Sequence, residues 1–360
     1  MERHRFVVLD VFRGLAATLV FWFHLNFIFP HSVLDNAFIR NSDLFVDFFF
    51  ILSGFVISYT YPALSTKTDL FRFFGKRFFR LYPLHFCMLL VYVGMEFLRR
   101  QLGIGKPNPM DNGRTFLSNL FLFNSVKLPG ITDVGWNHPS WSISAEVIAY
   151  TLFGILSITI ARMGADRFRT RFYPLVAVLA LALLRGITGG FNLMYVYDYG
   201  FLRGIAGFFL GASCFTVFAR TMDRYNTLSA SWFTAAEVVS LVALAVLVPL
   251  GATLKPYGFE YEGLFAGCVF IWGHEKGALS RWLAGRPLLL RMGKYSYSIY
   301  MTHAVLIALF SLVYTHVLKL PPSWNNFLII PDCIIVYGVS VFTYRQIEQR
   351  LVTIGKKYYT

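Results

Sequence analysis

The chain has 360 residues, of which 56% are hydrophobic and 14% charged, with a formal net charge of +14 at pH 7. A soluble domain usually carries about 25% charged residues, so the composition excludes an ordinary soluble globular protein and points to a membrane. The positive charge does not mark a nucleic-acid binder, because the basic residues sit in short loops between apolar runs, where membrane topology accounts for them.

The first apolar run, residues 6–29, is long enough to cross a bilayer as a helix, for which about 20 residues suffice. It nevertheless carries Asp10, Arg13 and His24. Ionisable groups in a spanning helix are costly and generally face the bundle interior, so they are functional candidates. At about 100° per residue, Arg13 and His24 fall about 20° apart after whole turns, and about 16 Å apart along the axis. Asp10 lies about 60° from Arg13, so all three share a stripe with Gly14, Ala17 and Phe21. The two small residues are expected to leave room for a passing group. The opening MERHR imitates a signal peptide, but the run is too long, is broken by charge and lacks a small-residue cleavage site. It is read as a retained span.

The second run, 44–61, holds Asp47 near its start. A basic segment follows with Lys76, Arg77 and Arg80, the two arginines at a spacing that puts them on one helix face. The third run is 82–98. The long connection 99–139 contains RTFLSNLFLFNSV, predicted as an interfacial or re-entrant helix. The fourth run, 140–161, opens with Ser140, Ser142 and Glu146. Then come 172–188, 200–219, 233–250, 260–274, 296–318 and 326–345. The weakest is 260–274, which is short and opens with Glu260 and Glu262. The ninth holds Tyr297 and His303.

The fold expected is an all-α integral membrane protein, a polytopic bundle of about ten transmembrane helices, in one domain spanning 1–360. No internal repeat or low-complexity linker divides it. Cys87, Cys214, Cys268 and Cys333 all lie in apolar runs without metal-ligand spacing, so neither disulfides nor a metal is expected. No phosphate-binding, dinucleotide, zinc-protease or calcium-loop motif occurs. His4, His31, His85, His138, His274 and His316 lie near span ends or in loops, where a solvated role is expected.

With the N-terminus inside, 22 of the 33 basic residues fall in inside segments and eight in outside ones. That asymmetry predicts both termini inside. His24 and Glu146 then lie near outer span ends, and Arg13 and His303 nearer the inside. The depths predict an outer pair, His24 with Glu146, and an inner pair, Arg13 with His303. Asp47 is predicted near the outer end of its span, lining the outer side.

Five passages resemble the membrane-bound acyltransferase family 3: LDVFRGLAATLVFWFH at 9–24, FVDFFFILSGFVIS at 45–58, FGKRFFRLYP at 74–83, PSWSISAEVIAY at 139–150 and GKYSYSIYMTH at 293–303. The resemblance implies a ten-helix protein of the bacterial inner membrane. It implies transfer of an acyl group, often acetyl, from cytoplasmic acyl-coenzyme A (acetyl-CoA) to a hydroxyl of a glycan or glycolipid-linked acceptor outside, as in O-acetylation of polysaccharides. The family's arginine–histidine pattern falls on Arg13 and His24, its basic pattern on Arg77 and Arg80 beside Lys76, and its serine-to-glutamate signature on Ser140, Ser142 and Glu146. Some relatives carry a soluble C-terminal domain; none is expected here, since the chain stops at Thr360 soon after its last apolar run.

The residue chemistry fits that implication. Transfer to an alcohol needs a base for the hydroxyl proton, and histidine suits the task near neutral pH. Glu146 is the candidate to orient it. Alternatively, His24 accepts the acyl group covalently. Arginine forks suit the phosphates of coenzyme A. Asp10, Asp47, Ser140, Ser142, Tyr297 and His303 are expected to line the substrate path. Each residue also has a bland reading: helix packing for His24, His303 and Tyr297, support of a helix start for Glu146, topology for the basic segment, and pairing with Asp10 for Arg13. A polytopic transporter of a small anionic or acylated substrate, or a non-catalytic scaffold, would use the same intramembrane charges, although repeated halves are lacking.

Overall fold

The computed structural model describes residues 5–62, 64–104, 108–165 and 168–359. His4 and Thr360, named above, lie outside them. Among the described residues there is no strand, and nine helices are long and apolar enough to cross a membrane. The chain is thus an all-α polytopic membrane protein. Helices α1 (Val7–Ile28), α2 (Phe45–Thr60), α3 (Lys67–Leu102), α4 (Gly113–Leu120) and α5 (Ser140–Arg162) form its first half. Helices α6 (Arg169–Thr188), α7 (Gly200–Asn226), α8 (Ala230–Leu247), α9 (Phe259–Trp272), α10 (Ala278–Ala284), α11 (Pro287–Ser311), α12 (Asn325–Thr343) and α13 (Gln349–Tyr358) complete it.

Two expectations change. The run at 260–274 forms only the 14-residue α9 and is not among the nine long helices. At about 1.5 Å per residue it spans about 21 Å, short of a bilayer core. The basic segment and the third run form one 36-residue helix, α3. Thr66 and Asp69 cap its start reciprocally, at 3.0 Å each way, and Gly103 ends it in the left-handed conformation. Only Pro83 interrupts the run, and a spanning helix tolerates one proline. Positive charge was the mark of a surface loop, yet nothing in the segment breaks a helix.

Two pairs of helices that start on the same face lie side by side. α1 and α11 run parallel: Arg13 meets Gly293 and Ser296, and His24 meets His303. Their crossing is close, since a Cβ on Gly293 would lie 2.2 Å from the Asp10 carbonyl oxygen and one on Gly14 2.5 Å from the Gly293 nitrogen. Small residues permit such backbone approach in membrane helices. Gly14 is therefore filled by α11, and the passage expected beside it lies elsewhere. α2 and α7 cross as closely, where a Cβ on Gly54 would lie 1.8 Å from the Phe208 carbonyl oxygen. The first face is the one on which α1 begins; α2, α5 and α7 begin on the second.

Within the connection expected at 99–139, residues 108–139 do not simply skirt the second face. α4 begins behind the cap of Asn112, whose side chain accepts from Arg114 N and Thr115 N. Beyond it, Asn119, Asn124 and Asn137 are buried under the start of α5. Ser140 donates to Asn119 Oδ1 (3.0 Å) and accepts from Asn124 Nδ2 (2.6 Å). The first residue of α5 thus lies beneath this covering loop.

Candidate functional site

A cavity opens between α1, α2, α3, α5 and α11. It encloses about 840 Å³ of space free of protein atoms, its mouth included. Its charged lining residues are Arg13, Arg77, Arg80 and Glu146. A second cavity, lined by Arg5, Asp10 and Tyr59, shares Arg13, Leu52 and Val56 with it and continues it toward the first face.

Each cation reaches the cavity for a local reason. Arg13 is held by α11: its Nε donates to Ser296 Oγ (2.8 Å) and its Nη2 to the Gly293 carbonyl (3.2 Å), while Asp10 lies 3.1 Å away. Arg77 and Arg80 share one face of α3, as their spacing predicts. They are half-buried along the cavity rather than free on the surface, because the helix carries them there. Arg77 Nε is buried with no hydrogen-bond partner among the described residues, and neither arginine is within ion-pair distance of a carboxylate there. Lys76 does not line the cavity. Glu146 accepts from Ser53 Oγ and from the Tyr150 hydroxyl one turn on, and these hydroxyls lie 2.9 Å apart.

The cavity's far wall leads to the histidines. Tyr300 lines it and pairs with the Ser142 hydroxyl at 2.8 Å. The Tyr300 carbonyl accepts from His303 Nδ1 (2.6 Å), which leaves the neutral His303 with a lone pair on Nε2. That nitrogen faces His24 Nδ1 at 3.3 Å. His24 Nδ1 also lies 2.8 Å from the Val20 carbonyl, so it carries the proton. The tautomer follows: His24 Nε2 holds a lone pair. The His24 ring touches the His138 ring, with centroids 6.3 Å apart.

The structure re-pairs the predicted residues. His24 meets His303, not Glu146, and Glu146 shares the arginine cavity with Arg13. α11 begins nine residues before the predicted 296, so His303 lies about 24 Å along it at about 1.5 Å per residue. The loop over α5 pushes Glu146 the other way. Arg13, Arg77, Arg80, Glu146, Ser142 and Tyr297 are brought together; the Tyr297 hydroxyl donates to the Leu81 carbonyl at 2.5 Å. Asp10 lines the approach. Asp47 lines neither of these cavities: it is 0% exposed and accepts both prongs of the Arg203 fork at 2.6 and 2.8 Å. Ser140 is spent on the asparagine lock. His31 and His85 are buried rather than solvated; His85 bonds the Asn119 carbonyl at 2.9 Å.

Sequence reasoning missed Ser53, Tyr150 and Ser296. Tyr150 carried a signal, being four residues from Glu146 on a helix. Ser53 and Ser296 carried none beyond being polar in apolar runs. Among the described residues, no group of three or more His, Cys, Asp or Glu side chains could hold a metal.

The family model described as "Acyltransferase domain" matches residues 6–345. The chain therefore belongs to the membrane-bound acyltransferase family 3 that its motifs resemble. It is 30% identical over 193 residues to "Protein 2 in picA locus" of Rhizobium radiobacter, covering 50% of this chain and 93% of that protein. It is 30% identical over 147 residues to "Acyltransferase MdmB" of Streptomyces mycarofaciens, covering 39% of this chain and 36% of that protein. No solved structure matches at a significant level.

Proposed function

We propose that this family member is an O-acyltransferase of the bacterial cytoplasmic membrane. It moves an acyl group, acetyl first of all, from acyl-coenzyme A on the first face to a hydroxyl of a glycan or glycolipid-linked acceptor on the second. The observation that carries this reading is a cavity with three arginines whose wall residue Tyr300 holds the His303–His24 pair.

Coenzyme A is anionic, and its nucleotide cannot enter hydrocarbon cheaply. Arg77 and Arg80, neither within ion-pair distance of a carboxylate among the described residues, hold its phosphates as forks. The uncharged pantetheine arm extends past Arg13 toward His24, an offset of about 16 Å along α1. There His24 Nε2 takes the acceptor's hydroxyl proton, and the oxygen forms a bond to the thioester carbonyl carbon. The carbon–sulfur bond breaks, and the leaving thiolate takes the proton from the imidazolium. The products are an ester and free coenzyme A, with no metal. The imidazolium keeps its Nδ1 proton between the Val20 carbonyl and His303 Nε2, so His303 rather than Glu146 fills the orienting position. Glu146 sits instead among the arginines, where it sets the charge of the donor cavity.

The first face is cytoplasmic in this reading, as the 22-to-8 distribution of basic residues favours. Asn112→Cys in intact cells should then react with an impermeant thiol reagent from outside; protection there would reverse donor and acceptor sides. The test of the function is His24→Ala in purified protein given acetyl-CoA and cell-envelope glycan. The rate should fall about 10²–10⁴-fold, the usual worth of general acid–base help, with the fold intact. A folded variant at parental rate removes His24 from the chemistry, and acyl label trapped on His24 in the parent would replace the base by a covalent carrier.

A further inference from the structure

On the second face, the connections 121–139 and 189–199 enclose another cavity of about 510 Å³, its mouth included. Its lining includes Asp133, His138, Met194, Tyr195, Tyr197 and Asp198, and contains no lysine or arginine. It is one ring contact from the candidate site, because His138, which lines it, packs edge-on against His24. Its frame is built into the fold. Arg203, locked by Asp47, also donates to the Tyr195 carbonyl at 3.4 Å, so this wall hangs on the bundle's buried ion pair. Each carboxylate has one oxygen tied to backbone, Asp133 Oδ1 to Gly135 N (3.0 Å) and Asp198 Oδ1 to Tyr199 N (2.8 Å). Neither meets a cationic side chain within ion-pair distance among the described residues. Arg203 is closed on Asp47, and Lys127 is turned to the Tyr199 hydroxyl and ring.

We infer that this cavity is the acceptor subsite, and that it takes a hydroxyl-rich group without negative charge, a neutral sugar or an amino sugar, and rejects an acidic one. The inference rests on the acyl-transfer reading and adds the acceptor's charge class to it. Free carboxylate oxygens accept hydrogen bonds from hydroxyls or an ammonium. Tyrosine rings offer a flat apolar surface with a polar tip to a sugar ring. A uronate or phosphorylated sugar would set its charge against Asp133 and Asp198 with no lysine or arginine on the lining to offset it. The two sides of the histidine pair are thus opposite in sign: three arginines toward the donor, two carboxylates toward the acceptor.

The cavity can be probed without any acyl transfer. Met194, 51% exposed, is changed to Cys, with Val196→Cys as the second position should the first misfold. The purified protein in detergent is reacted with a cationic and an anionic methanethiosulfonate of similar size. The cationic reagent should react about 10-fold faster, as a focused negative potential raises local concentration by at least that factor. Asp133→Asn with Asp198→Asn, which preserves the backbone bonds, should erase the preference. Glucosamine and methyl glucoside should slow labelling, and glucuronate should not. Equal rates for the two reagents, or protection by glucuronate as strong as by methyl glucoside, or protection by none of the three, overturns the inference. Failure of the purified protein to transfer acetyl would instead sink the acyltransferase reading while leaving the labelling result to stand by itself.

Discussion

Two arginine sites within the bundle differ in one respect. Arg203 is 4% exposed, and its fork is closed on both oxygens of Asp47, with a further donor on the Tyr195 carbonyl. Arg77 and Arg80 line an open cavity with no carboxylate within ion-pair reach among the described residues, and Arg77 leaves Nε unpaired. Burying a charge without a partner is costly. A completed pair therefore reads as architecture, and an incomplete one as a site awaiting an anion. The same rule sorts the carboxylates: Asp47 is closed and structural, whereas Asp133 and Asp198 each keep, among the described residues, one oxygen free on a cavity wall.

Breaking the closed site should have the largest effect. Asp47→Ala strands Arg203 in the core, and removing one partner of a buried pair costs about 3–5 kcal/mol. The variant should lose most folded material in detergent, read by size-exclusion and thermal melting. Asp47→Leu with Arg203→Met should recover much of it, since an apolar pair of similar volume removes the stranded charge. A stable Asp47→Ala protein would break the contrast at its structural end.

The open site should respond in the opposite manner. Arg77→Ala or Arg80→Ala should melt near the parental temperature but bind acetyl-CoA about 10–100-fold more weakly, the worth of about 1.5–3 kcal/mol for hydrogen bonds to charged groups. Lysine at either position should rescue only in part, lacking the fork. Titration calorimetry at two salt concentrations checks both points. Undiminished binding in both alanine variants would return these arginines to a topological role.

The smallest effect is expected at Asp111, in the connection on the second face. Partial burial, with Glu96 and Asp133 nearby, pushes its carboxyl up to about 6. A group raised in the folded state contributes stability below its unfolded value, near 3.8, and loses it as pH rises through about 6. Asp111→Asn should therefore raise the melting temperature slightly at pH 7.5 and leave it unchanged at pH 4. Equal shifts at both pH values would mean that the carboxylate is not strained by its acidic neighbours.

Much of this protein was legible in its residues. Composition and run length dictate a bundle of spanning helices, since an apolar run of bilayer length has only the helix to satisfy its backbone in lipid. Period and spacing put Arg13 and His24 on one stripe, and Arg77 and Arg80 on one face, because both are properties of a single helix. Pairing between helices was not legible. His24 and Glu146 seemed partners by depth, but the end of a hydrophobic run marks where a segment turns apolar, not where a helix starts. α11 begins early at Pro287, and α5 begins beneath a folded loop.

The sequence by itself determined the fold class, the family and the ionisable residues within the spans, all set by local chemistry and order along one chain. Only the tertiary structure decided which of those residues meet. It joined His24 to His303, closed Asp47 on Arg203, and left Arg77 and Arg80 open to a cavity. Those outcomes depend on the rotation, register and depth of helices far apart in the chain, and packing between helices, not the pattern along any one of them, sets all three.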